Sequence, residues 1–324
     1  MAMSKAFLGH GIFVELRPIN ALRRYANYKK PLPPKHTTSD LVDKFIEALT
    51  DMKMSSVWFQ IFSSFGTIDK DGKQGTKELV DGLKAAGIAA IPWGYCFGQN
   101  SEADPSDPNK VLDLERAKRL CGNYGLDVFV ADIEPWNDSS HGIDEWKADA
   151  LQALMAGLNQ HFGKDSLGIS SFALLDKNSQ PHARELLPPV APLVSFCAPQ
   201  IYWGGGKRDP VAWAKKSLKS WKDAGVTTEL IATVQCYWEK GAPRKTMEAK
   251  VEQFIAGFTS ADWSQIVGLN WYHAGGANTA KEGAMSQAMI DAIIAGHLDQ
   301  KPYKTPGTAR PHSEAGAPAA RAHP

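Results

Sequence analysis

The chain has 324 residues, and its 36 Lys and Arg are balanced by 35 Asp and Glu, for a formal net charge of +1. This neutrality gives no general electrostatic attraction to nucleic acid or to an anionic membrane surface, and no apolar run approaches the about 18 residues of a transmembrane helix. Hydrophobic residues make up 43% of the chain, which excludes wholesale disorder and predicts a large core.

The N-terminal segment and the cysteines both indicate synthesis in a reducing compartment. Residues 1–13 have one lysine and an interrupted apolar run, without the long apolar region and cleavage site of a secretory signal. We therefore expect synthesis in the cytoplasm, with later release by lysis or by a dedicated secretion system left open. The four cysteines lie far apart and form no Cys-x-x-Cys pair, which predicts buried free thiols rather than disulfides or a metal site.

Short apolar runs alternate with helical patterns along the whole chain. The apolar runs, interpreted as strands, lie at 7–16, 55–62, 88–97, 126–134, 167–174, 193–203, 230–238 and 266–273. The helical patterns lie at 39–53, 76–86, 109–123, 144–162, 209–224, 245–258 and 279–297. Between the fifth and sixth strands the helical pattern is short and is interrupted by Pro188 and Pro189.

This alternation predicts a single α/β domain. Strand starts are about 26 to 48 residues apart, the length of one βα unit, and eight such units in succession predict a (β/α)8 TIM barrel over residues 1–302. A doubly wound open sheet is the competing architecture, which is disfavoured because its Gly-x-Gly-x-x-Gly fingerprint is missing. Residues 303–324 are rich in Pro, Ala and Arg without apolar periodicity, which predicts a disordered C-terminal tail.

The fourth predicted strand changes from apolar to acidic along one face. The alternating residues of that face are Val128, Val130, Asp132 and Glu134. In a barrel the reacting groups lie at the C-terminal ends of the strands. Two carboxylates two residues apart repel each other, so that one of them holds its proton more firmly than a free acid does. A protonated acid beside a negative partner is what glycosidic-bond cleavage requires.

Polar and aromatic side chains also gather late in other predicted strands, which predicts that they meet at one mouth of the barrel. The candidate substrate-binding residues are Glu15, Gln60, Trp93, Trp136, Gln200, Trp203, Gln235, Tyr237, Asn270 and Trp271. For Glu15, pairing with a nearby arginine is an equally good interpretation. On the eighth strand the inward face is either Leu269, Trp271 and His273 or Asn270 and Tyr272, and the pattern leaves this parity open.

The acidic segment of the fourth strand resembles the strand-four signature of family 18 chitinase-type glycoside hydrolases, an acidic series that ends in Asp-x-Glu. It is also similar to the shorter Asp-x-Glu of family 25 lysozymes. Asp127, Asp132 and Glu134 match the chitinase series, whereas Val130 stands in place of its middle aspartate.

Two further strand ends extend the resemblance. Tyr202 matches the tyrosine of that family near the end of strand six, although the aspartate that follows it there is Trp203 in this chain. Trp271 lies where the family places a tryptophan under the sugar.

The resemblance implies a TIM-barrel glycoside hydrolase with three catalytic residues. Glu134 is the implied general acid/base, and Asp132 is implied to orient the substrate's N-acetyl group so that the acetamide acts as an internal nucleophile. Tyr202 is implied to hold that acetamide. In the lysozyme-like version Glu15 contributes a further carboxylate.

We therefore expect hydrolysis of β-linked N-acetylated amino-sugar polymers, with peptidoglycan favoured over chitin. The expected partner is this polysaccharide, with no metal or organic cofactor, no nucleic acid and no membrane, and any protein partner is left open. One alternative is a catalytically silent barrel that binds glycan or protein, which Val130 and Trp203 favour because they replace acids. A second is a metal-dependent isomerase or lyase with Glu15, Asp132 and Glu134 as ligands, although such a site usually gathers more ligands.

Overall fold

Strands and helices alternate along the chain in the computed structural model, which describes residues 3–63, 66–69, 75–96, 112–135, 146–204, 207–238, 242–274 and 285–306. The strands are β1 (Gly9–Val14), β2 (Ser56–Ser63), β3 (Gly66–Thr67), β4 (Ala89–Cys96), β5 (Phe129–Ile133), β6 (Leu167–Phe172), β7 (Phe196–Ile201), β8 (Glu229–Gln235) and β9 (Gly268–Tyr272). The helices are α1 (Pro18–Arg24), α2 (Thr38–Asp51), α3 (Thr76–Ala85), α4 (Leu112–Asn123), α5 (Ala148–Phe162), α6 (Pro181–Val190), α7 (Pro210–Asp223), α8 (Arg244–Gly257), α9 (Ser260–Trp263) and α10 (Gln287–Ala295).

Eight of the strands form a closed parallel barrel, as the sequence predicts. The order around the sheet is β1-β9-β8-β7-β6-β5-β4-β2, and β1 also pairs with β2 in parallel, which closes the ring. The ninth strand, β3, is short and pairs antiparallel with the end of β2, an addition that the sequence patterns did not indicate. The fold is therefore a (β/α)8 TIM barrel.

Helix α2 illustrates how the local sequence fixes the outer layer. Thr37 and Asp40 form a capping box: the backbone N–H of Asp40 donates to the Thr37 hydroxyl at 3.2 Å, and the backbone N–H of Thr37 donates to the Asp40 carboxylate at 2.6 Å. Leu41, Phe45 and Leu49 then recur every four residues, and all three are buried. The helix starts at its cap and packs through one apolar stripe.

Alternate strand residues divide the core into an outer layer under the helices and an inner layer inside the barrel. Phe13, Trp58 and Phe196 belong to the inner layer, which Phe7 closes from below with its ring 4.6 Å from that of Phe196. Gly168 makes room for this packing, because a Cβ there would lie 2.0 Å from the Phe196 ring. The barrel interior is therefore filled with side chains up to its mouth.

Two segments differ from the sequence prediction. Helix α1 lies between β1 and α2, where the sequence patterns indicated no helix, and it begins with Pro18 at its first turn, where the missing N–H costs nothing. The interrupted pattern before β7 is a ten-residue helix, α6, with Pro188 and Pro189 among its last three residues. Because prolines cannot donate to the preceding turn, the helix ends there.

The first and last described segments of the chain lie at the end of the barrel opposite the mouth. Phe7 precedes β1, and the backbone N–H of Lys304 donates to the carbonyl of Ile266, just before β9, at 2.8 Å. The Lys304 ammonium pairs with Glu229, the first residue of β8, at 2.7 Å. The prediction of a disordered tail over 303–324 falls mostly on residues 307–324, which lie outside the described residues.

All four cysteines are free and buried, which confirms the sequence prediction. Within the described ranges, no helix has both the length and the apolar character required to cross a membrane.

Candidate active site

An acidic pair lies at the upper end of β5, where the inward face of the strand meets the mouth. Val128 and Val130 belong to the inner core, and Asp132 and Glu134 continue the same face. The side chain of Asp132 is buried, with 6% of the residue exposed, whereas Glu134 is half-buried. The strand therefore presents one sheltered carboxyl group and, beside it, one that is open to the mouth.

Neighbouring strands hold Asp132 through two polar side chains. The Gln200 side-chain amide, on β7, donates to the Asp132 carboxylate at 2.8 Å, and the same nitrogen lies 3.2 Å from the Ser170 hydroxyl oxygen on β6. Asp132 and Ser170 are register partners across β5 and β6. Sequence analysis did not single out Ser170, and only the register, which needs the structure, brings it under the carboxylate.

The surroundings of Asp132 favour its protonated form. Burial raises the pKa of the Asp132 carboxyl well above its ordinary value, and the negative charge of Glu134 raises this pKa further. Hydrogen bonds from Ser170 and Gln200 act in the opposite direction, because they stabilise the carboxylate. The pair therefore retains a proton at a pH where a free aspartate is ionised.

Three tyrosines and a glutamate form the opposite wall of the mouth. The Tyr272 hydroxyl donates to the Glu15 carboxylate at 2.7 Å, and the Tyr272 ring centroid lies 5.1 Å from that of Tyr202 and 5.9 Å from that of Tyr237. Burial raises the pKa of Tyr202 and of Tyr272, as does the nearby charge of Glu15. Both phenols are therefore neutral hydrogen-bond donors over the physiological pH range.

Four of the predicted substrate contacts lie below this wall, inside the barrel. Gln60, Trp93, Gln235 and Asn270 are at most 9% exposed. The Gln60 side-chain oxygen accepts from the backbone N–H of Leu16 at 3.0 Å, which fixes the chain just after Glu15. The side-chain oxygen of Gln235 accepts from the backbone N–H of Gly204 at 3.2 Å, and the Trp93 indole donates to the Trp58 carbonyl at 3.2 Å.

The structure corrects the expected orientation of two tryptophans. Trp203 and Trp271 are fully buried in the outer core, with ring centroids 5.7 and 6.1 Å from that of Phe254 on α8. The Trp271 side chain points outward because on β9 the inward parity belongs to Asn270 and Tyr272. Trp203 follows β7 and packs in the same outer layer. The expected substrate contacts of both tryptophans are therefore contradicted. Trp136, the remaining predicted contact, lies outside the described residues.

Tyr272 is the residue of the mouth that the predicted site omits. The sequence pattern allowed Tyr272 to face inward, because it left two inward faces open for the eighth predicted strand. The register decides between them, since Gln235 on β8 lies beside Tyr272 and Thr233 lies beside Asn270. The structure thus brings Glu15, Asp132, Glu134, Tyr202, Tyr237 and Tyr272 to one mouth.

The arrangement offers acid/base chemistry next to flat aromatic faces. A sheltered carboxyl and a more open one share a strand end, and tyrosine hydroxyls supply neutral donors. In the part of the chain that the structure describes, no three His, Cys, Asp or Glu side chains are grouped to hold a metal ion.

Comparisons with known proteins find similarity in fold alone. No family sequence model and no curated protein sequence matches the chain. The spore cortex-lytic enzyme SleL of Bacillus cereus superposes with a TM-score of 0.55 at 10% identity, over 89% of this chain and 74% of SleL. The family 18 chitinase ChiB of Flavobacterium johnsoniae gives a TM-score of 0.52 at 12% identity, over 94% and 97% of the two chains. An endo-1,4-β-xylanase of Caldicellulosiruptor owensensis gives 0.55 at 12% identity, over 91% and 99%.

Proposed function

We propose that the protein is a glycoside hydrolase that cleaves β-linked N-acetylated amino-sugar polymers. The observation that carries the proposal is the pair of carboxyl groups at the end of β5, in which buried Asp132 lies beside the more open Glu134 at the barrel mouth. Support for the reaction class comes from the fold neighbours, which include a chitinase, a xylanase and a cortex-lytic enzyme.

In the proposed reaction Glu134 gives its proton to the glycosidic oxygen as the bond to the anomeric carbon breaks. The acetamide oxygen of the same sugar forms a bond to that carbon, with Asp132 accepting a hydrogen bond from the acetamide N–H and the Tyr202 hydroxyl close to the acetamide. Water then attacks the anomeric carbon and gives a proton to the Glu134 carboxylate, and the acetamide is released. Each cycle consumes one water and restores both carboxyl groups.

The aromatic wall suits an uncharged sugar ring. Tyr202, Tyr237 and Tyr272 present ring faces at the mouth, and such faces pack on the apolar side of a pyranose. We propose peptidoglycan as the substrate in preference to chitin, in line with the cortex-lytic enzyme among the fold neighbours. The chitinase neighbour keeps chitin as the comparison substrate.

A second candidate function is a silent barrel that binds glycan without cleaving it. Two positions favour it: Val130 and Trp203 stand where the chitinase-type signature has acids, and Trp203 is fully buried against α8. The missing acids remove a proton partner that the chitinase-type series supplies.

A comparison of two glutamate variants tests the proposal. The assay incubates three proteins with purified peptidoglycan and with chitin oligomers and measures new reducing ends. The proteins are wild type, Glu134→Gln and the matched control Glu185→Gln, which lies at an exposed position of α6. We expect Glu185→Gln to retain wild-type activity and Glu134→Gln to lose about 10²- to 10⁴-fold, the contribution of a general acid. Glycan binding without reducing ends from any of the three proteins establishes the silent barrel instead. Loss of wild-type activity in a chelator indicates the metal enzyme.

A further inference from the structure

Gln200 contacts Asp132 from β7, two strands away in the barrel. Its side-chain nitrogen donates to the Asp132 carboxylate at 2.8 Å and lies 3.2 Å from the Ser170 hydroxyl oxygen. Gln200 is half-buried, and Asp132 is buried beneath it. An amide N–H can only donate, and its hydrogen bond to a carboxylate is stronger than its hydrogen bond to a neutral carboxyl group.

We propose that Gln200 is a positioning residue that favours the ionised form of Asp132 and so shifts the proton shared by the acidic pair toward Glu134. This inference rests on the proposed function, because it assigns the proton to the residue that is proposed to give it to the glycosidic oxygen. Val130 lies one inward position below Asp132 and carries no acid. The Gln200 amide therefore supplies Asp132 with a neutral hydrogen-bond donor, at a strand end where position 130 carries no acid.

The balance that Gln200 shifts involves opposing influences. Burial and the charge of Glu134 both raise the pKa of Asp132 and leave the proton there, while Gln200 and Ser170 lower it. In the described part of the chain, other ionisable groups near the acidic pair include Tyr95 and Cys96 on β4 and Tyr202 after β7. Glu15, Tyr272 and His273 lie across the mouth, where the His273 ring nitrogen is 3.9 Å from the Glu15 carboxylate. The hydrogen bonds from Gln200 and Ser170 favour the ionised form of this carboxylate.

Replacing Gln200 by Met tests the inference, because Met has a similar length and volume and no donor. The hydrogen bond to a carboxylate corresponds to about one pH unit, so Gln200→Met raises the titration midpoint of Asp132 by about that amount. The ¹³C NMR signal of Asp132 in the full chain, labelled at aspartate carboxyls and assigned by its loss in Asp132→Asn, reports this midpoint directly. One pH unit corresponds to a tenfold shift of the shared proton from Glu134 to Asp132. This shift lowers kcat about tenfold and leaves KM unchanged.

Two further variants keep the result interpretable. Ser170→Ala removes the second donor and also raises the Asp132 midpoint, which serves if Gln200→Met fails to fold. Gln253→Leu is the matched control, because this glutamine also donates its amide to an aspartate, Asp209, but on the exposed surface; the Asp132 midpoint and kcat stay at wild-type values.

The titration and the activity separate the two proposals. An Asp132 midpoint that is unchanged in both Gln200→Met and Ser170→Ala overturns the inference, whatever the activity. A raised midpoint combined with wild-type kcat also overturns it, since the proton then has no bearing on turnover. A wild type that cleaves no glycan refutes the proposed function, whereas the raised midpoint still supports the hydrogen bond as the control of the Asp132 proton.

Discussion

The orientation of β9 makes a quantitative prediction about two adjacent aromatic residues. Trp271 is fully buried against Phe254 in the outer core, so Trp271→Ala removes packing and leaves a cavity, at a cost of about 4 kcal/mol. Unfolding entropy of about 2.1 cal/mol/K per residue over 324 residues gives about 0.7 kcal/mol/K, so the expected decrease in Tm is about 6 °C. Glycan cleavage measured well below the Tm is expected to stay within about threefold of wild type.

The matched substitution at the next residue has the opposite signature. Tyr272 faces the mouth and is half-buried, so Tyr272→Ala costs less stability than Trp271→Ala and lowers kcat/KM about tenfold through lost ring contact with the sugar. Thermal unfolding followed by circular dichroism and reducing-end release are measured on both variants. If Trp271→Ala abolishes cleavage with an unchanged Tm while Tyr272→Ala is fully active, the inward parity assigned to β9 is refuted.

Three further predictions concern stability and its pH dependence. The pKa of Asp132 is raised in the folded state, so the native protein binds this proton more tightly, and the associated stability is lost as pH rises above the unfolded pKa of 3.8. Asp132→Asn is therefore expected to melt higher than wild type at pH 8, by about 2 °C for each unit of raised pKa. Below pH 3 the two proteins are expected to have the same Tm. Gly168→Ala forces a Cβ to within 2.0 Å of a buried ring and is expected to lower the free energy of unfolding in urea by about 1–3 kcal/mol. Gly122→Ala, in open space on α4, is expected to raise it by about 0.5–1 kcal/mol. Equal effects of the two substitutions contradict the close packing of residue 168 against the Phe196 ring. Glu229→Gln breaks the ion pair with Lys304, whose two side chains are 18% and 23% exposed, and is expected to cost about 1 kcal/mol, with the wild-type advantage decreasing in 1 M salt.

The barrel could be predicted from the sequence because the patterns that indicate each strand and helix are local. Each strand is a short apolar run, and each outer helix has its own stripe and cap, as α2 does with Thr37 and Asp40. The sequence patterns did not predict helix α1 or strand β3, because α1 has only seven residues and β3 has two. Elements this short have too few positions for a periodic pattern.

The acidic pair was also predictable, because strand alternation alone puts Asp132 and Glu134 on the face of Val128 and Val130. The partners of the pair were not. Ser170 and Gln200 meet Asp132 through the register of three parallel strands, and register is a property of the assembled sheet rather than of any one strand.

The eighth predicted strand shows the limit of analogy. Both parities of that strand place an aromatic residue inside, Trp271 in one and Tyr272 in the other, so hydrophobicity does not distinguish them. The resemblance to chitinase-type enzymes favoured Trp271, and pairing with β8 assigns the inward position to Tyr272. A residue type shared with a family identifies a position only when the register is shared as well.

The location of the chain ends has a practical consequence for experiments on this protein. Phe7 seals the base of the barrel and Lys304 is held at the first residue of β8, so both ends of the described chain lie on the face opposite the mouth. A tag, a fluorophore or a surface linker attached at Lys5 or Pro306 is directed away from Asp132 and Glu134. The protein can therefore be immobilised through either of these two positions with the mouth oriented toward an insoluble polymer.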